Sequence, residues 1–312
     1  MKTKDIKIYC LLLSALVFMG CKHKDLVYGD ALKLTVKFDW SESRTGTQKA
    51  ESMWVYLYDA AGYLVTYYQI MNNEGETIEV IAGEYRMLCL NADTERIYYR
   101  GGDRLETFDI YTGKSSLFAG PMASFASPPM GSATEDPVVS VPDMVWSAQL
   151  DGVVSVFEDT EVVFTPRRRV STVRYTITNV DNLKLATGIS GSITGMAGSY
   201  NLGLEKPMPP PHTVPFDNPT IDTDNRVISG EFYCFGAWTE QQVHMFYLYA
   251  VMADGKKYYY SFDVTEDVKA AEGGIYIDIR IDNLSLPEPL PDDGAIDPDI
   301  DDWDKIEVEL PM

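Results

Sequence analysis

Histidine and cysteine, which often carry out catalysis, are scarce in this chain and stand in no recognisable catalytic pattern. Histidine occurs three times; His212 follows three prolines, and His244 lies in a strand-like segment. The sequence has no H-E-x-x-H, G-x-S-x-G, C-x-x-C or Walker phosphate-loop motif. Neither histidine has a companion motif that would complete a triad. We therefore predict that the protein is not an enzyme and has no catalytic residue and no metal site, with a hydrolase that uses only carboxylates, as some glycosidases do, as the open alternative.

A run of aspartates near the C terminus could offer oxygen ligands to calcium. These are Asp297, Asp299, Asp301, Asp302 and Asp304. Counted from Asp297, an EF-hand loop needs glycine at position six and glutamate at position twelve, where this chain has Asp302 and Val308. We interpret the run as a solvated linker, with weak calcium binding as the open alternative.

Two further segments have compositions that could indicate a binding site. Residues 188–203 are rich in glycine but lack the lysine of a phosphate loop, so a strand with a bulge or a close backbone approach is the simpler interpretation. Arg167, Arg168 and Arg169 form the one basic cluster of an acidic chain. We expect these arginines to pair with neighbouring carboxylates.

Cys21 stands at the end of an apolar amino-terminal run. Lysines precede residues 8–19, a run too short to span a bilayer but typical of a secretory signal. Gly20 and Cys21 fit a bacterial lipoprotein box, although Phe18 is bulkier than the usual residue. We predict a lipoprotein signal peptide at 1–20, lipidation of Cys21 and a tether at 21–30. The alternative is an ordinary cysteine that follows the apolar run of a secretory signal and carries no lipid.

The charge balance excludes one class of partner. Removal of residues 1–20, which carry three lysines and one aspartate, moves the formal charge from −21 to −23. Nucleic acid and anionic lipid head groups need a basic surface, so we predict that the protein surface binds neither. Cys89 and Cys234 lie in apolar, strand-like settings and are predicted to be buried and unpaired.

Short runs of Val, Ile, Tyr and Phe separated by turn residues predict an all-β fold of two sandwiches in series. Residues 32–91 are predicted to form a meander of antiparallel strands, and Asp254-Gly255 a hairpin with a type I′ turn. Only residues 265–274 look helical, with Thr265 as the cap. We place the domains at 31–155 and 156–312, with a Pro/Asp linker at 284–302 and a last strand at 303–310.

The whole chain resembles a known family, and its likeness is carried by motifs in a fixed order. These are Cys21, FDW (38–40), VYLYD (55–59), NADTE (91–95), ITGMAGSYNLG (193–203), FDVT (262–265) and DDWDKIEVEL (301–310). The family is an uncharacterised lipoprotein family of Bacteroidales, related to the fimbrillin-like anchor and tip subunits of fimbriae.

This resemblance implies two tandem transthyretin-like β-sandwich domains and a structural role without a cofactor. It implies a lipid-anchored protein of the outer membrane, at the cell surface, whose partners are other fimbrial subunits joined by β-strand addition. In stalk subunits of this kind an Arg-specific protease removes the first strand. Arg44 sits where such a cut would fall, but an ordinary loop arginine is the favoured interpretation, because the cut would also remove Cys21.

The last strand has two interpretations under this resemblance. Trp303, Ile306, Val308 and Leu310 either close the protein's own sheet, as suits an anchor, or are donated to a neighbour, as suits a stalk subunit. We favour closure. A separate hypothesis is a glycan-binding surface lipoprotein of a polysaccharide-uptake system, in which Trp54, Trp238 or residues 258–260 would stack on sugars.

Overall fold

The computed structural model describes residues 31–42, 49–118, 122–123, 136–238, 240, 243–271, 273–289 and 303–307. Strands dominate these residues, and their one α-helix is α1, Thr265–Ala270. Three-residue 3₁₀ helices lie at Leu105–Thr107 and Leu183–Leu185. The structure confirms the predicted all-β fold. In the described part of the chain, no helix has the length and apolar character needed to cross a bilayer.

The strands follow one another along the chain in twenty segments of the described residues. They are β1 (Ala31–Phe38), β2 (Met53–Tyr58), β3 (Leu64–Ile70), β4 (Gly75–Ile81), β5 (Gly83–Asn91), β6 (Tyr98–Arg100), β7 (Asp109–Tyr111), β8 (Trp146–Gln149), β9 (Val154–Val156), β10 (Thr160–Phe164), β11 (Arg167–Arg168), β12 (Ser171–Thr178), β13 (Ala186–Asn201), β14 (Lys206–Phe216), β15 (Thr220–Asp222), β16 (Val227–Cys234), β17 (Met245–Met252), β18 (Lys257–Asp263), β19 (Tyr276–Asp282) and β20 (Trp303–Glu307).

Two sheets share the first core. A three-stranded sheet has the order β10-β1-β4, and a six-stranded sheet has the order β11-β8-β5-β2-β3 with β9 beside β5. β1 is central, parallel to β10 and antiparallel to β4. Alternate apolar residues of both sheets meet in this core, among them Leu34 and Val36 from β1, Val55 and Leu57 from β2, and Met87 from β5.

Two other sheets share the second core. The four-stranded sheet has the order β15-β16-β12-β19, and the seven-stranded sheet has the order β20-β18-β17-β13-β7-β6 with β14 beside β13. Val173 and Tyr175 of β12 face Ile193 of β13, Phe246 of β17 and Phe262 of β18 within one buried cluster. Each core thus fills the space between two sheets, as expected of packed β-sheets.

A third apolar cluster joins the two pairs of sheets. It contains Tyr58 and Leu88 from the six-stranded sheet, Ile110 from β7, Tyr200 from β13, and Phe235. β7 also pairs with β13 in antiparallel register, with Ile110 opposite Tyr200. The halves of the chain are therefore connected by a buried seam and by backbone hydrogen bonds.

Strand pairing crosses the predicted domain boundary at residues 155 and 156. β10 and β11 follow this boundary, yet they pair with β1 and β8 of the preceding half. β6 and β7 precede it, yet they belong to the seven-stranded sheet. Apolar alternation identifies a strand and its buried face, but it does not identify the neighbouring strand. The division of the chain into two domains at residue 155 stays a prediction. The strand pairings do not follow this division.

The predicted meander is wrong beyond its first hairpin. β2 and β3 pair as expected, but β4 crosses to the other sheet and pairs with β1, while β5 returns to pair with β2. At the crossing, the Asn72 side-chain oxygen accepts hydrogen bonds from the backbone N–H groups of Glu74 and Gly75. The Trp40 indole donates to the Asn73 carbonyl at 2.7 Å. These contacts fix the crossing.

The hairpin of β17 and β18 is confirmed, but its turn differs from the predicted one. A type I′ turn needs positive φ at both central residues, whereas only Gly255 is left-handed here, with φ of 84°. Gly255 N–H donates to the Met252 carbonyl at 2.9 Å. The turn is thus of the three-residue kind that ends in a left-handed glycine.

The cap of α1 also differs from the prediction. The Thr265 hydroxyl accepts a hydrogen bond from the N–H of His244 at 2.9 Å, so it ties the helix to the residue just before β17. Asp263 instead accepts the Thr265 N–H at 3.0 Å. A carboxylate just before the helix satisfies one of the free N–H groups at its start.

The glycine-rich segment is the long strand β13, and the predicted bulge is confirmed. Its register with β14 shifts between Ile193 and Met196, around Gly195, which has φ of 75°. At Gly191 an added Cβ would lie 2.1 Å from the Phe216 ring. Glycine here permits a close approach to β14 rather than phosphate binding.

Substitution of Leu34 by Ala tests the importance of β1. Because Leu34 is fully buried in the central strand of its sheet, we expect a loss of about 2–5 kcal/mol in the free energy of unfolding. Lys37→Ala is the control, since its ion pair with Glu161 is about half exposed and worth at most about 1 kcal/mol. Urea unfolding of both variants measures the difference, and equal effects would contradict the assigned role of β1.

Candidate functional site

The carboxyl-terminal strand β20 closes one edge of the seven-stranded sheet. It runs parallel to β18, with Trp303 opposite Lys257 and Glu307 opposite Ser261. A strand added in this way covers backbone groups of β18 that an open edge would expose. In the structure, residues of the predicted last strand thus pair within their own chain.

The side chains of β20 pack on both faces of the sheet. The Trp303 ring lies 5.3 Å from the Phe118 ring and meets the Tyr249 ring edge-on at 5.7 Å, measured between ring centroids. These rings belong to a cluster outside the main core, with Leu117, Met122, Val251 and Tyr259. Ile306 packs against the second core instead. Trp303 and Ile306 are three residues apart, so in a strand they face opposite sides.

The chain just before the predicted linker is bound to the second core. Leu284 and Leu286 are buried, and the Leu286 carbonyl accepts a hydrogen bond from the Asn182 side chain at 2.7 Å. The Tyr260 hydroxyl donates to the Ser285 carbonyl at 3.1 Å. The linker predicted to begin at residue 284 is therefore wrong in its first residues, whose leucines belong to the core.

Several predicted site residues lie outside the described residues. They are Cys21, Arg44, Val308 and Leu310, together with the aspartates at 297–302. Lipidation of Cys21, processing at Arg44 and the roles of the last two apolar residues stay predictions. Arg44 follows β1 in the sequence, so a cut there would separate β1 from all later strands.

β3 is an edge strand with unusual side chains. It ends the six-stranded sheet, and among the described strands it pairs with β2 alone. Its beginning is covered by a bridge between Tyr63 and Arg104. Tyr63, Val65 and Tyr67 are each more than half exposed, and no charged residue occurs between Asp59 and Glu74. Exposed apolar edges without charge are open to pairing with another strand.

Aromatic side chains cover the outer surface of the hairpin of β2 and β3. The Tyr67 ring lies 5.7 Å from Trp54 and 5.8 Å from Tyr56 between ring centroids. Tyr56 in turn meets Phe108 edge-on at 5.0 Å, and Phe108 lies 6.2 Å from Tyr99. Burial raises the pKa of Tyr56, with the Tyr99 and Tyr67 hydroxyls as secondary causes. We call Trp54, Tyr56, Tyr67 and Tyr99 the aromatic surface.

Sequence reasoning identified only one member of the aromatic surface. Trp54 was singled out, but Tyr56 and Tyr67 stand on separate strands and become neighbours through the β2–β3 register, in which they are opposite each other. The other aromatic candidates differ from expectation. Tyr259 and Tyr260 are buried, at 8% and 0% exposure, so neither ring can stack on a ligand in solution.

The arginine cluster is paired with carboxylates at two of its three positions. Arg167 forms an ion pair with Glu42 at 2.7 Å, and Arg169 pairs with Glu205 and donates to Ser147. Arg168 differs, since its guanidinium lies over the rings of two tyrosines, Tyr233 at 5.1 Å and Tyr276 at 5.8 Å. The predicted pairing is confirmed for Arg167 and Arg169 and is wrong for Arg168.

Cys89, Cys234 and His244 are buried in surroundings that oppose their charged forms. Burial raises the pKa of the Cys89 thiol to about 12 and that of Cys234 to about 11, so both are protonated at neutral pH. They lie in separate cores and are unpaired. Burial lowers the pKa of His244, which keeps its imidazole neutral beside the Thr194 carbonyl. Within the described residues, no group of histidine, cysteine and acidic side chains could hold a metal ion.

Comparison with known proteins assigns the chain to a family. The model of the DUF5119 family, a domain of unknown function, matches residues 20–217. The chain belongs to this family. No curated protein sequence matches it.

Solved structures share the fold of this DUF5119 member. A candidate adhesin from Bacteroides ovatus is 19% identical with a TM-score of 0.60, covering 94% of this chain and 98% of its own. The fimbrial anchor protein Mfa2 from Porphyromonas gingivalis is 11% identical with a TM-score of 0.51, covering 81% and 90%. A candidate polysaccharide-binding protein from Bacteroides thetaiotaomicron has the same identity, TM-score and coverage as Mfa2. The chain therefore shares its fold with a candidate adhesin, a fimbrial anchor protein and a candidate polysaccharide-binding protein.

Deletion of residues 303–312 tests whether β20 is part of the folded protein. Because Trp303 and Ile306 are both partly buried, we expect the free energy of unfolding to fall by about 2–3 kcal/mol. Asp304→Ala is the control, because this side chain is exposed on the same strand. Chemical denaturation of the purified protein provides the measurement. Unchanged stability together with lost polymerisation would show that the strand is donated to a neighbour.

Proposed function

We propose that the protein is a lipid-anchored structural subunit of fimbria-like appendages on the outer membrane, in an anchor or tip position, or acts in cell adhesion. The observation that carries this proposal is the pairing of β20 with β18 inside one chain. A subunit at the end of a polymer needs no neighbour to complete its sheet, whereas a stalk subunit does. Similarity of fold to a fimbrial anchor and to a candidate adhesin supports the same role.

Lipid on Cys21 supplies the membrane attachment in this proposal. A single short apolar run precedes Cys21, and lipid chains attach a protein without a spanning helix. Arg44 is then a loop arginine rather than a processing site, because cleavage there would separate both Cys21 and β1 from the rest. β1 has paired neighbours on both sides and two fully buried side chains, Leu34 and Val36, which favours its retention.

Partners join by β-strand addition, and β3 is the edge best suited to it. Its exposed residues Val65 and Tyr67 carry no charge that would repel an incoming strand. The edge strand β19 differs, because Asp278 and Arg280 alternate along it with buried isoleucines. Charged side chains protect a sheet edge, so β19 is the poorer acceptor.

Substitution of Cys21 by Ser tests the anchoring part of this function. We expect the wild-type protein to carry acyl chains, to remain with the outer membrane and to co-purify with fimbrial subunits after mild detergent extraction. The Cys21→Ser variant should be released, because one missing attachment residue removes the lipid. Cys89→Ser is the matched control, since this cysteine is buried in the first core. Mass spectrometry of the extracted protein shows whether acyl chains are attached. An unacylated wild-type protein in the soluble fraction would contradict the proposal.

Glycan binding is the second candidate function, and the aromatic surface is the observation that favours it. Aromatic rings that are at least partly exposed, as Tyr67 and Trp54 are, can stack on sugar rings, and one protein of the same fold is described as a candidate polysaccharide-binding protein. For an anchor or adhesion subunit without this activity, we expect no saturable binding of the purified protein on a glycan array. Saturable binding that Trp54→Ala abolishes and Trp238→Ala leaves intact would instead support the glycan-binding function.

A further inference from the structure

β1 begins close to the proposed membrane anchor. Ala31 is its first residue, and the predicted tether at 21–30 joins it to Cys21. A fully extended chain of this length spans at most about 36 Å. Lipid on Cys21 would therefore keep the end of the first core around Ala31 close to the bilayer.

Two chain connections lie at the same end of the first core as Ala31. Ile81 is opposite Ala31 in the pairing of β1 with β4, and β5 begins just afterwards at Gly83. Val156, the last residue of β9, is opposite Gly83. The next strand, β10, pairs with β1, so the chain between β9 and β10 crosses this same end. We call these two connections, residues 81–83 and 157–159, the basal surface.

Exposed apolar side chains stand on the basal surface. Phe157 is 66% exposed and Ile81 is 54% exposed. Each directly follows a buried valine, Val156 or Val80, which already fills the core position. Sheets with one buried face normally place a polar residue at the next, outward position. Apolar groups that are gathered at one exposed place mark a contact with a protein or a membrane.

The charges of the basal surface favour one kind of bilayer. Glu158 and Asp159 follow Phe157 directly, and Glu84 lies beside the first connection. All three residues are exposed, and Lys33 offers one positive charge nearby. Anionic head groups would repel the remaining negative charge, whereas head groups without net charge would not. The basal surface therefore suits a zwitterionic bilayer.

We propose that the basal surface rests on the outer membrane, with Phe157 and Ile81 in the head-group region of a zwitterionic bilayer. The proposal rests on the anchoring function, because lipid on Cys21 supplies the proximity. A short tether makes the contact intramolecular, at an effective concentration on the order of millimolar. Two apolar side chains that bind a bilayer poorly from solution can then hold the first core against it. This contact would fix which end of the first core faces the membrane.

Quenching of a fluorophore on Ala82→Cys tests the proposal in the acylated protein, reconstituted in phosphatidylcholine vesicles. Ala82 is an exposed member of the basal surface, and its substitution leaves Phe157 and Ile81 in place. Cys89 and Cys234 are buried, so they do not compete for the label. Lipids that carry a nitroxide at the head group quench fluorophores that touch the bilayer. We expect strong quenching, which should weaken when anionic phosphatidylglycerol is added.

Met71→Cys provides the control position for the label. Met71 is 72% exposed and follows Ile70, whose partner Met53 is opposite Asn91 at the far end of β5. Gly83, at the near end of β5, is about 26 Å from Asn91 at the usual rise of a strand. A fluorophore on Met71→Cys should therefore show much weaker quenching.

Phe157→Ser, made in the Ala82→Cys protein, should lower the ratio of docked to undocked molecules by roughly tenfold, because a large apolar side chain no longer leaves water. Met71→Ser removes a large apolar side chain at the far end and should leave this ratio unchanged. Both side chains are mostly exposed, so both variants should fold, which thermal unfolding checks.

Mass spectrometry of the same preparation separates the two ways in which the experiment can fail. Unacylated protein would contradict the anchoring function and the basal contact together. In acylated protein, the basal contact alone would be overturned by equal quenching at positions 82 and 71, by quenching that Phe157→Ser leaves unchanged, or by stronger quenching in anionic vesicles. A fluorophore at position 82 that iodide cannot reach in the vesicle-free Cys21→Ser chain would show that the tether covers this surface, and would also overturn the proposal.

Discussion

Backbone hydrogen bonding at sheet edges is the constraint on which this structure depends. Each open sheet ends in two strands whose outer N–H and C=O groups need protein partners, water or protection. The chain meets this need differently from edge to edge. β20 covers β18, charged residues alternate along β19, and β15 is only three residues long. Among the described residues, β3 combines an apolar, uncharged sequence with an edge position that is open beyond its first residue, and we therefore propose it as an assembly surface.

The seam between the two pairs of sheets makes them mechanically dependent. β7 enters the seven-stranded sheet through β13, while Arg169 reaches from the segment after β11 to Ser147 of β8 and to Glu205 beyond β13. The Arg169 side chain is only 8% exposed. Loss of its carboxylate partner would strongly destabilise the folded protein, because a buried charge would remain unpaired. The two pairs of sheets are therefore joined by packed side chains and paired strands.

Short apolar runs and turn residues predicted the all-β fold and the hairpin of β17 and β18, because side-chain period and turn chemistry are local properties of the chain. They did not predict that β4 pairs with β1, because the alternation of Ile78 and Val80 marks a buried face without identifying the neighbouring strand. The aromatic surface was missed for the same reason: Tyr56 and Tyr67 become neighbours only through strand register. Arg168 was expected to pair with a carboxylate on charge alone, and the stacking tyrosines come from β16 and β19, far apart in sequence.

The two ends of the described chain are held by very different interactions, and this difference bears on assembly. β1 has hydrogen-bonded neighbours on both sides and places Leu34 and Val36 in the first core at zero exposure, so its removal would open a sheet at the centre. β20 has one neighbour, is five residues long, and depends mainly on Trp303 and Ile306, both only partly buried. Separation of β20 would expose a single edge while both cores kept most of their contacts. Exchange of β20 with a strand of a neighbour should therefore require much less free energy than exchange of β1. The aromatic packing of Trp303 on Phe118 and Tyr249 is the interaction that opposes the release of β20.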